Sequence, residues 1–174
     1  MIKRLYVDNY KCLVNFELQL YDLTLLLGPN GVGKTSVLDA MFALRRLLSG
    51  EAKVTDADVF PTSTLTRWQQ RNTQVVEIDA VLEGDEYRYR LEVQHERATR
   101  RARIMLECLE LGGRPLFQFQ AGEVQLYRDN HSEGPRFGSD WNESAMARVP
   151  SRNDNTKLTA FLDFMRKIVV CGLY

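Results

Sequence analysis

The sequence predicts an α/β fold with a mixed β-sheet, a helix that follows a glycine-rich loop, and an antiparallel β-meander inserted after that helix. Three observations indicate this class. An almost wholly apolar run, residues 23–27, leads into the glycine-rich segment 28–36. Apolar side chains then recur at helical spacing over residues 37–48. Over residues 74–127 they alternate with polar side chains, as in half-buried strands.

Composition is that of one ordinary domain. The chain has 174 residues, of which 44% are hydrophobic, enough to form a core. Lys plus Arg (23) balance Asp plus Glu (23), so a contact with nucleic acid or an anionic membrane has to come from a local patch. Cys12, Cys108 and Cys171 form no C-x-x-C pair, which argues against a disulfide framework or a zinc site and favours a reducing cytoplasm. Neither a signal peptide nor a membrane-spanning run is evident.

Three strands are predicted before the glycine-rich segment. The first covers residues 3–7, and the alternation of Phe16, Leu18 and Leu20 with polar residues indicates the second. The run 23–27 has no polar side chain except Thr24, which is typical of a strand buried on both faces of a sheet.

Segment 28–36 has the spacing of a phosphate-binding loop. Gly28 followed by Gly33-Lys34-Thr35 fits G-x-x-x-x-G-K-[ST] between a strand and a helix. Glycine at positive φ lets backbone N–H groups turn inwards together, and the following helix adds the positive end of its dipole. The predicted contact residues are Gly28, Pro29, Asn30, Gly31, Val32, Gly33, Lys34, Thr35 and Ser36.

The side chains of this loop have separate expected roles. Lys34 bridges the β- and γ-phosphates of a nucleotide, and Thr35 offers its hydroxyl to Mg²⁺. Ser36 makes a secondary phosphate contact, while Pro29 and Asn30 shape the loop.

The rest of the chain divides into recognisable segments. A helix over residues 34–48 ends at Ser49-Gly50. The alternating pattern predicts strands at 75–82, 87–93, 103–111, 114–120 and 123–127. Residues 129–155 are polar and predict a mobile loop with a helical turn near 143–147.

A second helix is predicted near the end of the sequence. Leu158, Phe161, Leu162 and Met165 have helical spacing, with a cap near Asn155 or Thr156. The apolar run 168–170 begins another buried strand that no helix covers. We therefore expect a single lobe, residues 1–174, that is the N-terminal part of a longer domain. Its parts are 1–50 (strands, loop and helix), 51–128 (lid loop and meander), 129–155 (mobile loop) and 156–174 (helix and strand start).

Hydrolysis needs further groups, a carboxylate for Mg²⁺ and a residue that orients water. Segment 160–163 comes nearest to four apolar residues followed by Asp, but its apolar residues have helical spacing, and Phe164 stands where a catalytic Glu is expected. Glu77 and Asp79 alternate with apolar strand residues and are interpreted as a solvated face. The catalytic residues are therefore unknown from the sequence.

Residues 2–48 resemble the N-terminus of ABC-type ATPase heads of the RecF, SMC and OLD-like group, often called AAA family ATPases. The resemblance rests on the turn Asn9-Tyr10-Lys11, the glycine-rich loop, and Ser36-Val37-Leu38-Asp39-Ala40 after it. It implies a P-loop NTPase fold that binds ATP and Mg²⁺. In that group a second lobe supplies a signature motif, an Asp-Glu pair and a switch histidine, and none of these is found in this sequence. Segment 48–51 has letters similar to the signature motif, but it ends the predicted helix 34–48 instead of starting a later one. The glutamine that follows the first lobe in this family has no counterpart that can be placed in this sequence.

The resemblance also implies how a complete protein works. Two heads sandwich ATP in a homodimer, hydrolyse it, and drive a DNA-directed effector such as a nuclease in repair, chromosome maintenance or phage defence, without a membrane partner. Tyr10 is expected to stack near the base. One alternative is a nucleotide-gated interaction module without turnover. A P-loop kinase is disfavoured, because kinases usually follow the loop helix with another parallel strand.

Two further groups of residues invite interpretation. Six arginines lie around one predicted hairpin: Arg88, Arg90, Arg97, Arg100, Arg101 and Arg103. They can contact a nucleic-acid backbone, but a solvated hairpin paired with Glu86, Glu92 and Glu96 is the favoured interpretation. Phe60-Pro61 and Arg67-Trp68 are expected to form a lid that packs on the core.

Overall fold

The computed structural model describes residues 1–171, within which eight strands form one sheet in the order β2-β1-β3-β4-β5-β6-β7-β8. The strands are β1 Ile2–Asp8, β2 Phe16–Gln19, β3 Thr73–Leu82, β4 Asp85–Glu96, β5 Arg101–Leu111, β6 Arg114–Gln120, β7 Glu123–Tyr127 and β8 Glu133–Gly138. The helices are α1 Lys34–Leu48 and α2 Thr156–Arg166, with 3-10 turns at Thr62–Thr64 and Met146–Arg148. No helix of the described residues is long and apolar enough to cross a membrane.

The meander predicted from residue 74 is present, and its turns explain its register. Leu82 pairs with Asp85 across Glu83 and Gly84, whose φ angles are 52° and 88°. Two consecutive residues at positive φ are what a two-residue type I′ hairpin requires, because this turn matches the twist of the strands. The pairs 112–113 and 121–122 have the same backbone signs. The three tight turns therefore join neighbouring strands of the meander, β3 to β4, β5 to β6 and β6 to β7.

One face of the sheet is covered by the two helices. The apolar positions of β3 and β4 alternate into a core with the buried face of α1, which carries Ala40, Ala43, Leu44 and Leu47. On α2, Phe161 stacks on Tyr87 and Tyr89 with ring centroids 5.6 Å and 5.9 Å apart.

The ends of α1 match the prediction. The helix begins after Gly33 and ends at Ser49, followed by Gly50 at φ 73°. The amide of Gly50 donates to the carbonyl of Leu47 at 3.1 Å, and that of Glu51 to Arg46 at 3.3 Å. This pair of bonds is a Schellman motif, for which glycine at that position is favoured.

The opposite face of the sheet carries an ion-pair ladder. Arg88 forms two hydrogen bonds with Asp79, at 2.8 Å and 3.0 Å. Arg4 contacts Glu77 at 2.8 Å, and Arg90 contacts Glu77 and lies 2.6 Å from Glu92. Of the three predicted acidic partners, only Glu92 pairs with an arginine within residues 1–171. The register of β3 and β4 instead brings Arg88 and Arg90 of β4 opposite Asp79 and Glu77.

Residues 129–155 are predicted to be a mobile loop, but the structure shows a more ordered segment. They contain β8, which pairs with β7, and the 3-10 turn at Met146–Arg148, which overlaps the end of the predicted helical turn. Ala145, Met146 and Val149 are buried in the core. A few apolar positions anchor this polar segment, and a mean composition does not reveal them.

Glu107 is the buried group that holds this segment against the sheet. Its carboxylate accepts hydrogen bonds from the Tyr89 hydroxyl at 3.0 Å, the Ser144 hydroxyl at 2.5 Å and the Met146 amide at 3.3 Å. Burial raises the pKa of Glu107 above its usual 4.5, although the three hydrogen bonds act in the opposite direction.

The first turn of α2 is capped from a distance. Asn155 makes no capping bond with its side chain; instead Asp129 accepts bonds from the amides of Thr156 and Lys157 at 3.0 Å and 2.9 Å. Burial acts to raise the pKa of Asp129, but these bonds and that of the Thr156 hydroxyl outweigh it and lower the pKa. The predicted helix is confirmed, whereas its cap comes from a residue 27 positions away.

Two predicted buried strands are wrong. Leu23, Leu25 and Leu27 are 90%, 75% and 79% exposed, and Val169 is 80% exposed. The segments 23–27 and 168–170 pair with no strand of the described sheet, which is antiparallel throughout instead of mixed. A strand needs neighbours for its backbone hydrogen bonds, and the described residues provide none for these two segments. The continuation into residues 172–174 lies outside the described residues.

Replacing Glu107 by Gln should change the pH dependence of stability. Because the folded pKa is raised, the stability linked to Glu107 is fully present below about pH 4.5 and is lost as the pH rises through the folded pKa. Glu107→Gln does not ionise, so its free energy of unfolding should improve relative to the wild type as the pH rises. The gain should reach about 1.4 kcal/mol for each pH unit that separates the folded from the unfolded pKa. Urea unfolding at several pH values measures this.

The matched control is Glu123→Gln, which removes an exposed carboxylate at the start of β7. Its stability curve should run parallel to that of the wild type. A parallel curve for Glu107→Gln as well would contradict the burial argument.

Candidate nucleotide site

The glycine-rich loop lies directly in front of α1, as the sequence indicates. Gly28, Gly31 and Gly33 have φ angles of 155°, 87° and 101°. At Gly31 and Gly33 this is the left-handed region, which a side chain disfavours by roughly 1–2 kcal/mol. The backbone thus turns sharply in front of the helix, where the amides from Gly31 to Ser36 form a patch at its start.

The amides of this patch are free of protein acceptors. The first backbone hydrogen bond of α1 runs from the amide of Val37 to the carbonyl of Gly33, at 3.1 Å. Within the described residues, the amides from Gly31 to Ser36 donate to no backbone or side-chain acceptor. The start of a helix exposes unpaired N–H groups and a positive dipole end, so this patch suits an anion.

Lys34 folds back over the same loop. Its Nζ donates to the carbonyls of Gly28 at 2.6 Å and Pro29 at 2.8 Å. No carboxylate pairs with it among the described residues, so the ammonium charge is not neutralised by the protein. Pro29, Asn30 and Val32 are exposed on the rim of the loop.

The turn between β1 and β2 supports the loop from beneath. A Cβ placed on Gly33 would lie 2.7 Å from the Sγ of Cys12, so the two chain segments are in direct contact there. The thiol of Cys12 donates to the hydroxyl of Ser36 at 3.4 Å. Lys11 forms an ion pair with Asp39 at 2.6 Å and thereby links the turn to α1.

These supporting contacts were not predicted from the sequence. Lys11 and Asp39 both belong to the motifs that carry the family resemblance, and their opposite charges were the available signal. No pattern singles out Cys12, since its contact with Gly33 depends on the tertiary arrangement.

Tyr10 does not lie where the sequence analysis expects it. Its ring is 1% exposed and meets Phe60 edge-on, with centroids 5.6 Å apart. Burial raises its pKa above the usual value of 10.0. The side chain is a core residue, because the turn directs it inwards, and it is not available to stack on a base.

The proposed lid is also only half correct. Phe60 is fully buried, but Trp68 is 66% exposed. Loop 65–71 therefore covers the core with Leu65 and Thr66 and presents its indole to solvent.

The site contains few groups for a metal ion. Thr35 lies at the start of α1, and its hydroxyl has no hydrogen-bond partner among the described residues. Those residues contain no cluster of three His, Cys, Asp or Glu that could hold an ion. Asp163 lies on α2, 3.4 Å from Arg166, and is an ordinary helix-surface residue. A lone hydroxyl would leave most of the ligands of Mg²⁺ to nucleotide phosphates and to the waters that this ion usually keeps.

Comparison with known proteins shows the family of this chain. A family described as AAA ATPase domain matches residues 1–103, which include both the loop and its supporting turn. The chain belongs to this AAA ATPase family. It is also similar to the OLD nuclease of Thermus scotoductus, with 51% identity over 41 residues. Those residues are 24% of this chain and 8% of the nuclease, so the matched segment is a small part of that protein.

Both findings confirm the predicted resemblance to the N-terminal region of OLD-like AAA ATPases. For this AAA ATPase domain they establish an ATPase-family protein with an α/β fold, and the family match extends over the glycine-rich loop.

Gly33→Ala should destabilise the domain more than Gly31→Ala. Both positions have positive φ, but only the Cβ at position 33 meets a neighbour, the Sγ of Cys12, whereas nothing lies within 4 Å of position 31. We expect about 1–2 kcal/mol for the backbone strain in each variant and a further loss for Gly33→Ala. Urea unfolding provides the comparison.

Cys12→Ala serves as the second arm of this experiment. In its presence the extra cost at position 33 should shrink, because the clashing sulfur is gone. Equal losses for the two glycine variants would show that the Cys12 contact has no energetic role.

Proposed function

We propose that the loop 28–36 binds Mg-ATP and that this domain is the nucleotide-binding lobe of an ABC-type ATPase. One observation carries the proposal, namely the row of amides from Gly31 to Ser36 that donate to no acceptor in the described part of the chain. Their position at the start of α1, beside an ammonium group without a carboxylate partner, favours a polyphosphate.

Binding changes the partners of Lys34. The β- and γ-phosphates replace the carbonyls of Gly28 and Pro29, and each new charge-assisted bond contributes about 1.5–3 kcal/mol. The Ser36 hydroxyl, already held by Cys12, is placed for a secondary phosphate contact.

Thr35 then contributes its hydroxyl to Mg²⁺ held between the phosphates. The ion supplies charge neutralisation when bound. The residues of this chain position the nucleotide, and the contact between Cys12 and Gly33 keeps the loop backbone in place.

Hydrolysis belongs to the complete protein in this proposal. Of the carboxylates considered for catalysis, Glu77 and Asp79 pair with arginines of the ion-pair ladder, and Asp163 lies on the surface of α2. We propose that two heads sandwich ATP and that a second lobe supplies the catalytic groups, so the isolated chain turns over slowly. The exposed leucines of segment 23–27 support an additional layer, because such a run is normally covered.

A DNA-directed effector is the proposed output. The support is the OLD nuclease relative, which is a nuclease by name and shares 51% identity with 41 residues of this chain. We propose repair, chromosome maintenance or phage defence as the process, with a nuclease domain or subunit as the partner.

An interaction module without turnover is the second candidate. It is favoured by the same shortage of metal-ligating carboxylates among the described residues. Phosphate release from ATP separates the ATPase from the interaction module, because only an ATPase releases phosphate catalytically. It is measured with the chain alone and with a chain that also carries the proposed second lobe.

Lys34→Ala should weaken binding of a non-hydrolysable ATP analogue by about 100-fold or more, since two charge-assisted bonds are lost. Isothermal calorimetry in the presence of Mg²⁺ measures the affinity. Lys53→Ala is the matched control, because Lys53 is exposed and outside the loop. Unchanged affinity in Lys34→Ala would remove the proposal, and an equal loss in both variants would point to net charge alone.

Thr35→Ala should lose the part of the affinity that depends on Mg²⁺. Wild-type protein is expected to bind the analogue more tightly with Mg²⁺ than with EDTA, whereas Thr35→Ala should bind equally in both buffers. Thr35→Ser retains the hydroxyl and should restore the difference. A persistent Mg²⁺ effect in Thr35→Ala would contradict the assigned role.

A further inference from the structure

A concave surface lies away from the nucleotide loop, at the end of the β4–β5 hairpin where residues 97–100 connect the strands. It is a groove of about 830 Å³. One wall is the hairpin end with Arg100, Arg101 and Arg103, and the other is the segment 140–142. We call this surface the arginine groove.

The arginines of this groove differ from those at the other end of the hairpin. Arg88 and Arg90 are paired with carboxylates of the ion-pair ladder. Arg100 and Arg101 are exposed, and neither guanidinium has a carboxylate within 4.0 Å or a hydrogen-bond acceptor among the described residues. Positive charge is therefore left uncompensated at one end of the hairpin only.

Arg103 is held in place by neutral groups. Its guanidinium donates to the Oε1 of Gln94 at 3.2 Å and 2.9 Å and lies 5.1 Å from the centre of the Trp141 ring. The indole rests against Gly122, where a Cβ would come within 3.0 Å of it. The guanidinium group of Arg103 is thus held in one orientation, and no carboxylate among the described residues neutralises its charge.

The opposite wall is anchored to the fold. The carbonyl of Trp141 accepts from the amide of Ile104 at 2.8 Å, and that of Asn142 accepts from Val54 at 2.8 Å. Both walls of the groove are consequently in place without a ligand. Less conformational entropy is therefore lost when a ligand binds.

Two carboxylates also line the groove, and both are engaged within their own segments. Glu96 accepts from the Thr99 hydroxyl at 2.6 Å, and Asp140 accepts from the Asn142 amide at 3.0 Å. Three arginines against these two leave a positive excess. Arg97 beside them adds a further charge, since it bonds only neutral oxygens, those of Asn72, Gln69 and Arg71.

His95 forms the floor and does not alter this balance near neutral pH. Burial, together with the charge of Arg97, lowers its pKa to about 4. Its Nε2 lies 2.9 Å from the Oε1 of Gln74, within a buried hydrogen-bond network. The ring is neutral at pH 7, so the excess of arginines over carboxylates sets the sign of the charge in the groove.

An aromatic side chain lies on the adjoining loop. Arg97 donates to the carbonyl of Gln69 at 2.7 Å and so ties loop 65–71 to the hairpin end. This loop carries the exposed Trp68 and the exposed Arg67. Exposed arginines on one segment and an exposed indole on the loop bonded to it are the residue types that bind single strands, with phosphates on the arginines and a base on the ring.

We propose that the arginine groove and Trp68 bind a single-stranded nucleic acid. Arg100, Arg101 and Arg103 contact consecutive phosphates, and Trp68 stacks on a base. This inference rests on the DNA-directed part of the proposed function and names the surface that would contact the nucleic acid. It does not depend on the nucleotide loop.

The test is fluorescence anisotropy of a labelled oligothymidylate of about 20 nucleotides, titrated with the chain at about 50 mM salt. Arg100→Gln and Arg101→Gln should each weaken binding several-fold, and each should reduce the salt slope by about 0.7. Arg114→Gln is the matched control. Arg114, like Arg101, is exposed and is the first residue of a strand, but it pairs with the end of β5 that is far from the groove. It should leave the affinity within twofold.

Trp68 is tested separately. Trp68→Ala should lower the affinity at least fivefold, and Trp68→Phe should restore most of it, because any aromatic ring stacks. A duplex of the same length should bind more weakly than the single strand. Tighter binding of the duplex, or no effect of Trp68→Ala, would overturn the single-strand assignment.

Failure of this inference is distinguishable from failure of the proposed function. Lys34→Ala should lose the ATP analogue and keep the oligonucleotide, while Arg101→Gln should do the opposite. If the oligonucleotide affinity is equal for the wild type, Arg101→Gln and Arg114→Gln, the arginine groove does not bind the oligonucleotide. The proposal of nucleotide binding is unaffected by that result. Circular dichroism of every variant ensures that a loss reflects the surface and not unfolding.

Discussion

The proposed nucleotide site depends on one backbone constraint, the positive φ of Gly31 and Gly33. It turns the amides from Gly31 to Ser36 away from protein acceptors, so that the start of α1 remains an unsatisfied donor surface. Gly33 also has to be glycine for a second reason, its contact with the Sγ of Cys12. The turn between β1 and β2 and the loop therefore form one supported unit, and the ion pair between Lys11 and Asp39 fastens it to the helix.

The sheet serves this unit as a rigid base and offers a different surface at one end of its central hairpin. Its buried face positions α1 through the apolar stripe that includes Ala40, Leu44 and Leu47. Its hairpin end, beyond the ion-pair ladder, carries arginines with no acidic partners among the described residues. Charge distribution along one hairpin thus separates a structural half from a half suited to a polyanion.

Local patterns predicted much of this fold. The bounds of α1 and the meander followed from periodicity and from glycines that tolerate positive φ, and both signals are contained in short windows of sequence. The loop in front of α1 was also located from a short motif, and its role in phosphate binding stays a prediction. Long-range partners were not: the cap that Asp129 provides for α2, the anchoring of Met146 by Glu107, and the pairing of β8 depend on residues brought together by the tertiary fold. The prediction of a buried strand at 23–27 was wrong for a related reason. An apolar pattern indicates that a segment is suited to burial, but it does not show which neighbouring strand or helix would cover it.

That leucine segment has a consequence for affinity. Leu23, Leu25 and Leu27 lead without interruption into Gly28, whose carbonyl holds Lys34. In the proposed assembly, a strand that pairs with the leucines and a phosphate that replaces this carbonyl would both act on the same short stretch of backbone. If both favour one conformation of it, linkage requires each to tighten the other's binding by the same factor. Assembly and nucleotide occupancy would then be reciprocal readouts of a single equilibrium.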